Sequence, residues 1–259
     1  MRVLVVGDVV GRPGRNAVRS LLPGIVEERG IDFVIVNAEN AAGGSGITEE
    51  TARELFDSGA HVLTTGNHVW GQREAFGYVD REERLLRPAN FPDGAPGRGA
   101  GVYEVQGRRV GVINVQGRTF MQALEDPLRT AERLTRQLRE TCRVVFVDMH
   151  AEATSEKMAL ARFLDGTVTC VFGTHTHVPT ADECILPGGT AYITDVGMTG
   201  PVDSIIGMQP KAIIERFLTG LPVRFEVARG KAALQGILVE ADETSGNATA
   251  IERIRLLQD

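Results

Sequence analysis

The chain has 259 residues, of which 42% are hydrophobic and 24% charged, and a formal net charge of −6. That balance excludes an intrinsically disordered chain and disfavours broad electrostatic attraction to DNA or to an anionic membrane. No apolar run approaches the roughly 20 residues needed to cross a bilayer, so a single cytoplasmic domain over residues 1–259 is expected, long enough to bury a sizeable core.

Val3–Val6 reads as a first strand, too short an apolar run for a secretory leader and ending almost at once in Asp8. Pro13 suits a first helical turn, and Val18, Leu21, Leu22, Ile25 and Val26 recur at helical spacing up to Gly30. Phe33–Val36 is a second strand, followed by the glycine-rich Gly43-Gly44-Ser45-Gly46, which offers a flexible rim loop or a plain connection. Thr48 is a candidate N-cap for a helix reaching Ser58, and His61–Thr65 is a third strand ending in Gly66-Asn67-His68.

Residues 84–100 carry Pro88, Pro92 and Pro96 and read as an irregular surface connection. Gly101–Gln106 and Arg109–Val115 flank Gly107-Arg108 as the arms of a hairpin. A helix over Pro127–Glu140 leads to the strand Arg143–Val147 and then His150, and Ser155–Leu164 fits a helix with Met158, Phe163 and Leu164 turned inward. The run Val168–Phe172 precedes Gly173-Thr174-His175-Thr176-His177. Beyond it are expected a strand at Thr190–Thr194, a helix near Pro210–Leu218, and strands at Val223–Val227, Ala232–Ala241 and Ala248–Leu257. Two mixed sheets face to face with helices outside, a four-layer α/β/β/α sandwich, accommodate this order better than one doubly wound sheet.

Cys142, Cys170 and Cys184 lack the spacing of a thiolate zinc site, so a metal here would rest on nitrogen and oxygen donors. Such donors follow nearly every strand: Asp8, Glu39, Asn40, Asn67, His68, His150, His175 and His177. Parallel strands deliver their C-terminal ends to one edge of a sheet, so five segments would converge. Four of the five histidines lie at these strand ends. His61 begins its strand, should face the opposite edge, and is given a structural role. Taken singly, Asp8 reads equally well as a cap, Glu39 and Asn40 as turn formers, and His150 as a core histidine; their joint placement is what unrelated caps and turns do not explain.

Gly7-Asp8, Asn37-Ala38-Glu39-Asn40, Gly66-Asn67-His68, His150 and Gly173–His177 resemble the ordered motif blocks of calcineurin-like metallophosphoesterases, and more narrowly the bacterial YmdB-like branch. The resemblance extends over Gly7–Gly14, His150–Lys157 and Tyr192–Met198. The chain departs from the broader superfamily at Val10, where a histidine is usual, at Glu39, where aspartate usually bridges, and at Val69, where an acidic residue is common.

The resemblance implies that Glu39 bridges two divalent or mixed-valence metal ions, one held also by Asp8, Asn40 and His177 and the other by Asn67, His150 and His175. Two such ions activate a shared water as hydroxide for attack at phosphorus, with His68 as general acid towards the leaving oxygen. The resemblance leans to iron or manganese; mixed carboxylate, amide and imidazole donors are also compatible with zinc. It implies hydrolysis of small phosphodiesters, in particular 2′,3′-cyclic nucleotides to 3′-nucleotides, and is compatible with a homo-oligomer. A phosphomonoesterase or phosphoprotein phosphatase, and a non-enzymatic regulatory module binding a nucleotide or RNA, are the alternatives; the acidic charge counts against RNA. Arg12, Arg15 and Arg118 are candidates for phosphate contacts, each with a surface role as the simpler reading.

Overall fold

In the computed structural model, which describes residues 1–258, strand β1 (Arg2–Val6) runs into the two-residue β2 (Asp8–Val9), and helix α1 (Gly11–Arg29) returns the chain to β3 (Phe33–Asn37). Helix α2 (Glu49–Asp57) is capped by the Thr48 hydroxyl, which accepts from Thr51 N, and leads to β4 (Val62–Thr64). A short helix α3 (Ala75–Arg81) and strand β5 (Leu85–Leu86) follow. The hairpin β6 (Ala100–Val105) and β7 (Arg108–Gln116), helix α4 (Pro127–Leu138), strand β8 (Val144–His150), helix α5 (Thr154–Phe163) and strand β9 (Cys170–Thr174) form the middle of the chain. Next come β10 (Cys184–Ile185), β11 (Ala191–Ile193), β12 (Met198–Pro201), helix α6 (Pro210–Thr219), and the long pair β13 (Ala232–Ala241) and β14 (Ala248–Leu257).

One sheet has the order β2-β12-β13-β1-β3-β4-β5 with β14 paired on β13; the other runs β10-β11-β9-β8-β7-β6. β1, β3, β4 and β5 are mutually parallel in the first sheet, and β7, β8, β9 and β11 in the second. An antiparallel neighbour joins each parallel set, β13 in the first sheet and β6 in the second. Both sheets are therefore mixed.

Side-chain alternation along the strands builds the layers. Val3, Val5, Phe33, Ile35 and Val62 pack between the sheets against Val112, Val144, Phe146 and Phe172. Their neighbours Leu4, Val6, Val34 and Val36 face α1 and α2, and Val145, Val147 and Val171 pack with Ala131 of α4 and Leu160 of α5. The order of layers is α/β/β/α, as the sequence pattern implied. Among the described residues, no helix is long and apolar enough to cross a membrane.

Three local expectations need correction. Met158 and Phe163 of α5 are about half exposed; the buried positions are Lys157, Leu160 and Ala161, with Leu164 at the C-cap. Lys157 turns inward because Asp195 meets its ammonium at 2.9 Å, with both side chains shut off from solvent. Val223–Val227 is not a strand: only Val227 forms a bridge, to Met208. The connection at 84–100, expected to be irregular, contributes β5 to the first sheet.

Candidate metal centre

Continuing the alternation on the inter-sheet face past Ile35, Val62, Phe146 and Phe172 reaches Asn37, Thr64, Asp148 and Thr174, so the dry core ends in a polar layer at the C-terminal edge of the strands. The Asp148 carboxylate accepts from Thr64 Oγ1 at 2.5 Å, Thr174 Oγ1 at 2.7 Å and Asn37 Nδ2 at 3.0 Å. Burial raises its pKa, and the three donors with the nearby His150 work against that rise. Since Thr174 gives its hydroxyl proton to Asp148, it accepts from His150 Nδ1 at 2.8 Å, which leaves Nε2 of His150 with the lone pair.

That nitrogen faces other acceptors. Asn67 Oδ1 is 2.9 Å away, Glu39 Oε2 3.1 Å and His175 Nδ1 3.1 Å. The backbone is fitted to this crowding: a Cβ on Gly66 would lie 2.2 Å from the His150 ring and 2.4 Å from Glu39 Oε2, so only glycine lets the end of the β4 segment pass.

Glu39 arrives from the turn after β3, held by its amide donating to Asn37 Oδ1 at 3.2 Å. Its Oε1 accepts from Asn40 Nδ2 at 3.1 Å, and its Oε2 accepts from His68 N at 3.2 Å. Asp8 follows β1 and is fully buried. Its Oδ2 accepts from His175 N at 3.2 Å, whereas Oδ1 has no hydrogen-bond partner and stands 3.8 Å from His177 Nε2. His175 and His177 adopt left-handed backbone conformations, with φ of 93° and 67°, costly for non-glycine residues.

Two groups of donors result, Glu39 with His150 and His175, and Asp8 with Glu39 and His177; within each, the donor atoms all lie within 4.8 Å of one another. Glu39 belongs to both. A buried carboxylate oxygen without a donor, beside imidazole and carboxylate lone pairs aimed at one another, is a donor set that fits cations. Packed this closely, the groups strongly shift one another's proton affinities. Burial pushes the Asp8 carboxyl up to about 7. Burial opposes charge on His150, but Glu39 and Asp8 outweigh it and push that imidazole up to about 9. Burial, reinforced by the charge on His150, takes His175 down to about 3.

The structure brings together all eight residues singled out at the strand ends. Asn67 and His150 meet directly, and Asn40 Nδ2 is 3.1 Å from His177 Nε2. Because Asn40 turns its amide nitrogen to Glu39 and His177, acting as a ligand would require its carboxamide to be turned over, an exchange of near-isosteric groups. His68 stands at the rim with its side chain 42% exposed, and its Nδ1 is 2.8 Å from Asn40 Oδ1. The Glu39 carboxylate, 3.5 Å from Nδ1, raises its pKa against the opposing effect of burial.

His61 lies away from this group: it stacks on Phe33 with ring centroids 4.9 Å apart, and its Nδ1 accepts from Val34 N at 3.0 Å. Of the three arginines, Arg15 is engaged by Glu54 and by the Ala41 carbonyl, Arg118 by Asp126, and Arg12 is exposed; none lines the cavity over the centre. Sequence reasoning missed Asp148, Thr174, Lys157 and Asp195. Asp195 Oδ2 accepts from Thr176 N at 3.2 Å and Thr176 Oγ1 at 2.6 Å, bracing the turn between the two histidines.

The fold is shared with a 5′-nucleotidase precursor from Thermus thermophilus, which superposes with a TM-score of 0.57 at 16% identity, over 99% of this chain and 54% of that one. A family model described as YmdB-like protein matches residues 4–254. The chain belongs to the YmdB-like family. It is 49% identical to a 2′,3′-cyclic-nucleotide 2′-phosphodiesterase of Bacillus subtilis (strain 168), over 100% of this chain and 98% of that relative. A Thermus thermophilus protein solved as a hypothetical protein superposes with a TM-score of 0.94 at 44% identity, over 100% of both chains.

Proposed function

We propose that this chain is a metal-dependent phosphodiesterase that hydrolyses small phosphodiesters, 2′,3′-cyclic nucleotides above all, to 3′-nucleotides. The observation that carries the reading is the pair of donor groups sharing the buried Glu39, and the full-length similarity to the Bacillus subtilis enzyme supports the substrate. Asp8, Asn40 and His177 would hold one divalent ion and Asn67, His150 and His175 the other, with Glu39 between them. Nitrogen and oxygen donors without thiolate suit iron, manganese or zinc, and the family resemblance leans to iron or manganese. When bound, such a pair supplies an activated water and neutralises the charge that builds up at phosphorus.

The chain's own residues do the rest. Asp8 and Glu39 bring only two carboxylates to the donor groups, so with two divalent ions bound the centre would be net positive and would attract phosphate. Asp8, Glu39 and His150 are fully buried, which keeps bulk water to the rim side of the centre. His68 at the rim holds a proton on its imidazole, assisted by Glu39, and delivers it to the departing ribose 2′ oxygen.

The test is metal analysis of purified protein coupled to rates on 2′,3′-cyclic AMP, 3′,5′-cyclic AMP and a phosphopeptide. Close to two ions per chain and preference for the 2′,3′-cyclic substrate are expected. His68→Ala should keep both ions and lose roughly 10²- to 10⁴-fold in turnover. A metal-free preparation with full activity overturns the mechanism, and preference for the phosphopeptide overturns the substrate.

A further inference from the structure

The cavity over the centre has a volume of about 350 Å³, in the range of small-molecule sites, and its two sides differ in chemistry. Glu39, His68, His175 and His177 line one side. The apolar part of the lining consists of Ile206, Met208, Ile213 and Phe225, all from the excursion between β12 and β13 that carries α6. The two legs of that excursion are tied together by Gln209 N donating to Glu226 O and Ala228 N donating to Gly207 O, both at 2.9 Å.

Two features argue that this apolar wall is built for contact. Ile206 has φ of 46°, a genuine outlier for a β-branched residue. The strained turn aims its carbonyl at His177 Nδ1, 2.9 Å away, while its side chain remains 49% exposed on the cavity side. The Phe225 ring is held by the Arg216 guanidinium 5.2 Å from its centroid, so an aromatic surface is presented rather than collapsed. Two further polar side chains of the lining face the turn of the histidines: Glu152 Oε2 lies 3.2 Å from His175 Nε2, and Thr176 Oγ1 donates to Asp195 at 2.6 Å.

We infer that Ile206, Met208 and Phe225 form the surface on which the base of a nucleoside phosphate lies, and that this subsite accepts purines and pyrimidines alike. The inference rests on the phosphodiesterase reading for the position of the phosphate. With the phosphate drawn to the metal-side residues, the group it carries extends along the adjoining apolar part of the lining. A planar apolar group covers that wall best. Because Ile206, Met208 and Phe225 themselves carry no N–H or O–H donor and no carbonyl or carboxylate acceptor for a base edge, recognition by them is through the face common to all bases.

Steady-state kinetics of the metal-loaded wild type, Phe225→Ala and Phe225→Leu on 2′,3′-cyclic AMP, 2′,3′-cyclic CMP and the base-free 1,2-cyclic phosphate of glycerol test this, with unfolding temperature and metal content as controls. In the wild type the two nucleotides should have kcat/KM values within a few-fold of each other and well above the base-free compound. Phe225→Ala should lower the nucleotide-to-base-free ratio about tenfold, mainly through KM, with Phe225→Leu between. A ratio unchanged by either variant, or a strong preference for one base in the wild type, overturns the base wall.

Calorimetric titration with 3′-AMP and glycerol 1-phosphate separates this outcome from failure of the catalytic reading. If no diester is hydrolysed yet 3′-AMP binds more tightly and Phe225→Ala abolishes the difference, the wall stands and the phosphodiesterase reading falls. Equal binding of the two ligands sinks the wall.

Discussion

Replacing Lys157 by methionine keeps the length and apolar reach of the side chain and removes only its charge. In the native chain the ammonium is 2.9 Å from Asp195 Oδ2 and both groups are closed to water. Asp195 would keep the Thr176 amide and hydroxyl on Oδ2 and the Gly197 amide on Oδ1, but no cation would be in contact with it. Leaving a buried charge without its partner costs about 3–5 kcal/mol. At roughly 2–4 °C per kcal/mol for a chain of this size, the unfolding midpoint should fall by roughly 6–20 °C. Adding Asp195→Asn removes the stranded charge while the carboxamide keeps an acceptor for Thr176. The double variant should therefore cost less than the sum of the singles, by on the order of 1–3 kcal/mol. The assay is thermal and urea unfolding of the four proteins at one metal concentration. A loss below about 1 kcal/mol for Lys157→Met, or strict additivity in the cycle, would refute the claim that this pair holds the turn.

Thr174→Val deletes the hydroxyl between Asp148 and His150 at nearly constant volume, and should weaken metal binding by roughly 10- to 100-fold, as loss of a partner behind a ligand usually does. Thr174→Ser should restore most of it; equal titration curves for the two variants would show that the hydroxyl is not what fixes the imidazole. His61→Gln should leave turnover within about twofold, since the ring lies against Phe33 and Val34. Burial, with Arg84 nearby, lowers the His61 pKa, so below about pH 6.5 the unfolded chain takes up a proton that the folded one resists, and native stability falls with acidification. Glutamine carries no such penalty. The gap in unfolding temperature between wild type and His61→Gln should consequently be smaller at pH 5.5 than at pH 8, and a gap that stays constant or widens would refute the account.

The layers of this fold were legible because the short continuous apolar runs of β1, β3 and β8 and the helical spacing in α1 are strong signals, each sustained over several residues. Elements without such a run escaped: α3 has seven residues and β5 two. The alternation of Val223, Phe225 and Val227 misled, since Phe225 serves the cavity and Val227 forms a single bridge to Met208 instead of a ladder. In α5 the error came from ranking Met158 and Phe163 by hydrophobicity, although Lys157 lies at helical spacing with Leu160, Ala161 and Leu164. A lysine on that face asks for a buried acid, and Asp195 is supplied from 38 positions away. The strand-end donors were legible as a set because topology alone gathers them. The residues behind them were legible only in part: stepping by two from Phe146 reaches Asp148 and then His150, which marks a carboxylate inside the sandwich but does not disclose Thr64 or Asn37 as its donors.

Why His175 and His177, with one residue between them, fall into different donor groups follows from what holds the far side of each ring. Glu152 stands 3.2 Å from His175 Nε2, so His175 turns Nδ1 inward, against His150 at 3.1 Å. Ile206 O accepts from His177 Nδ1 at 2.9 Å, so His177 turns Nε2 inward, against Asn40 at 3.1 Å. His150, whose Nδ1 bonds to Thr174, likewise offers Nε2. Three elements, the loop after β8, the excursion after β12 and strand β9, therefore each fix one imidazole by its second nitrogen, which selects the tautomer that faces the centre. The positive φ at both 175 and 177 is the backbone cost of presenting opposite ring nitrogens from neighbouring positions. Spacing alone would have let the pair clamp one ion; it is their separate anchors that divide them around Glu39.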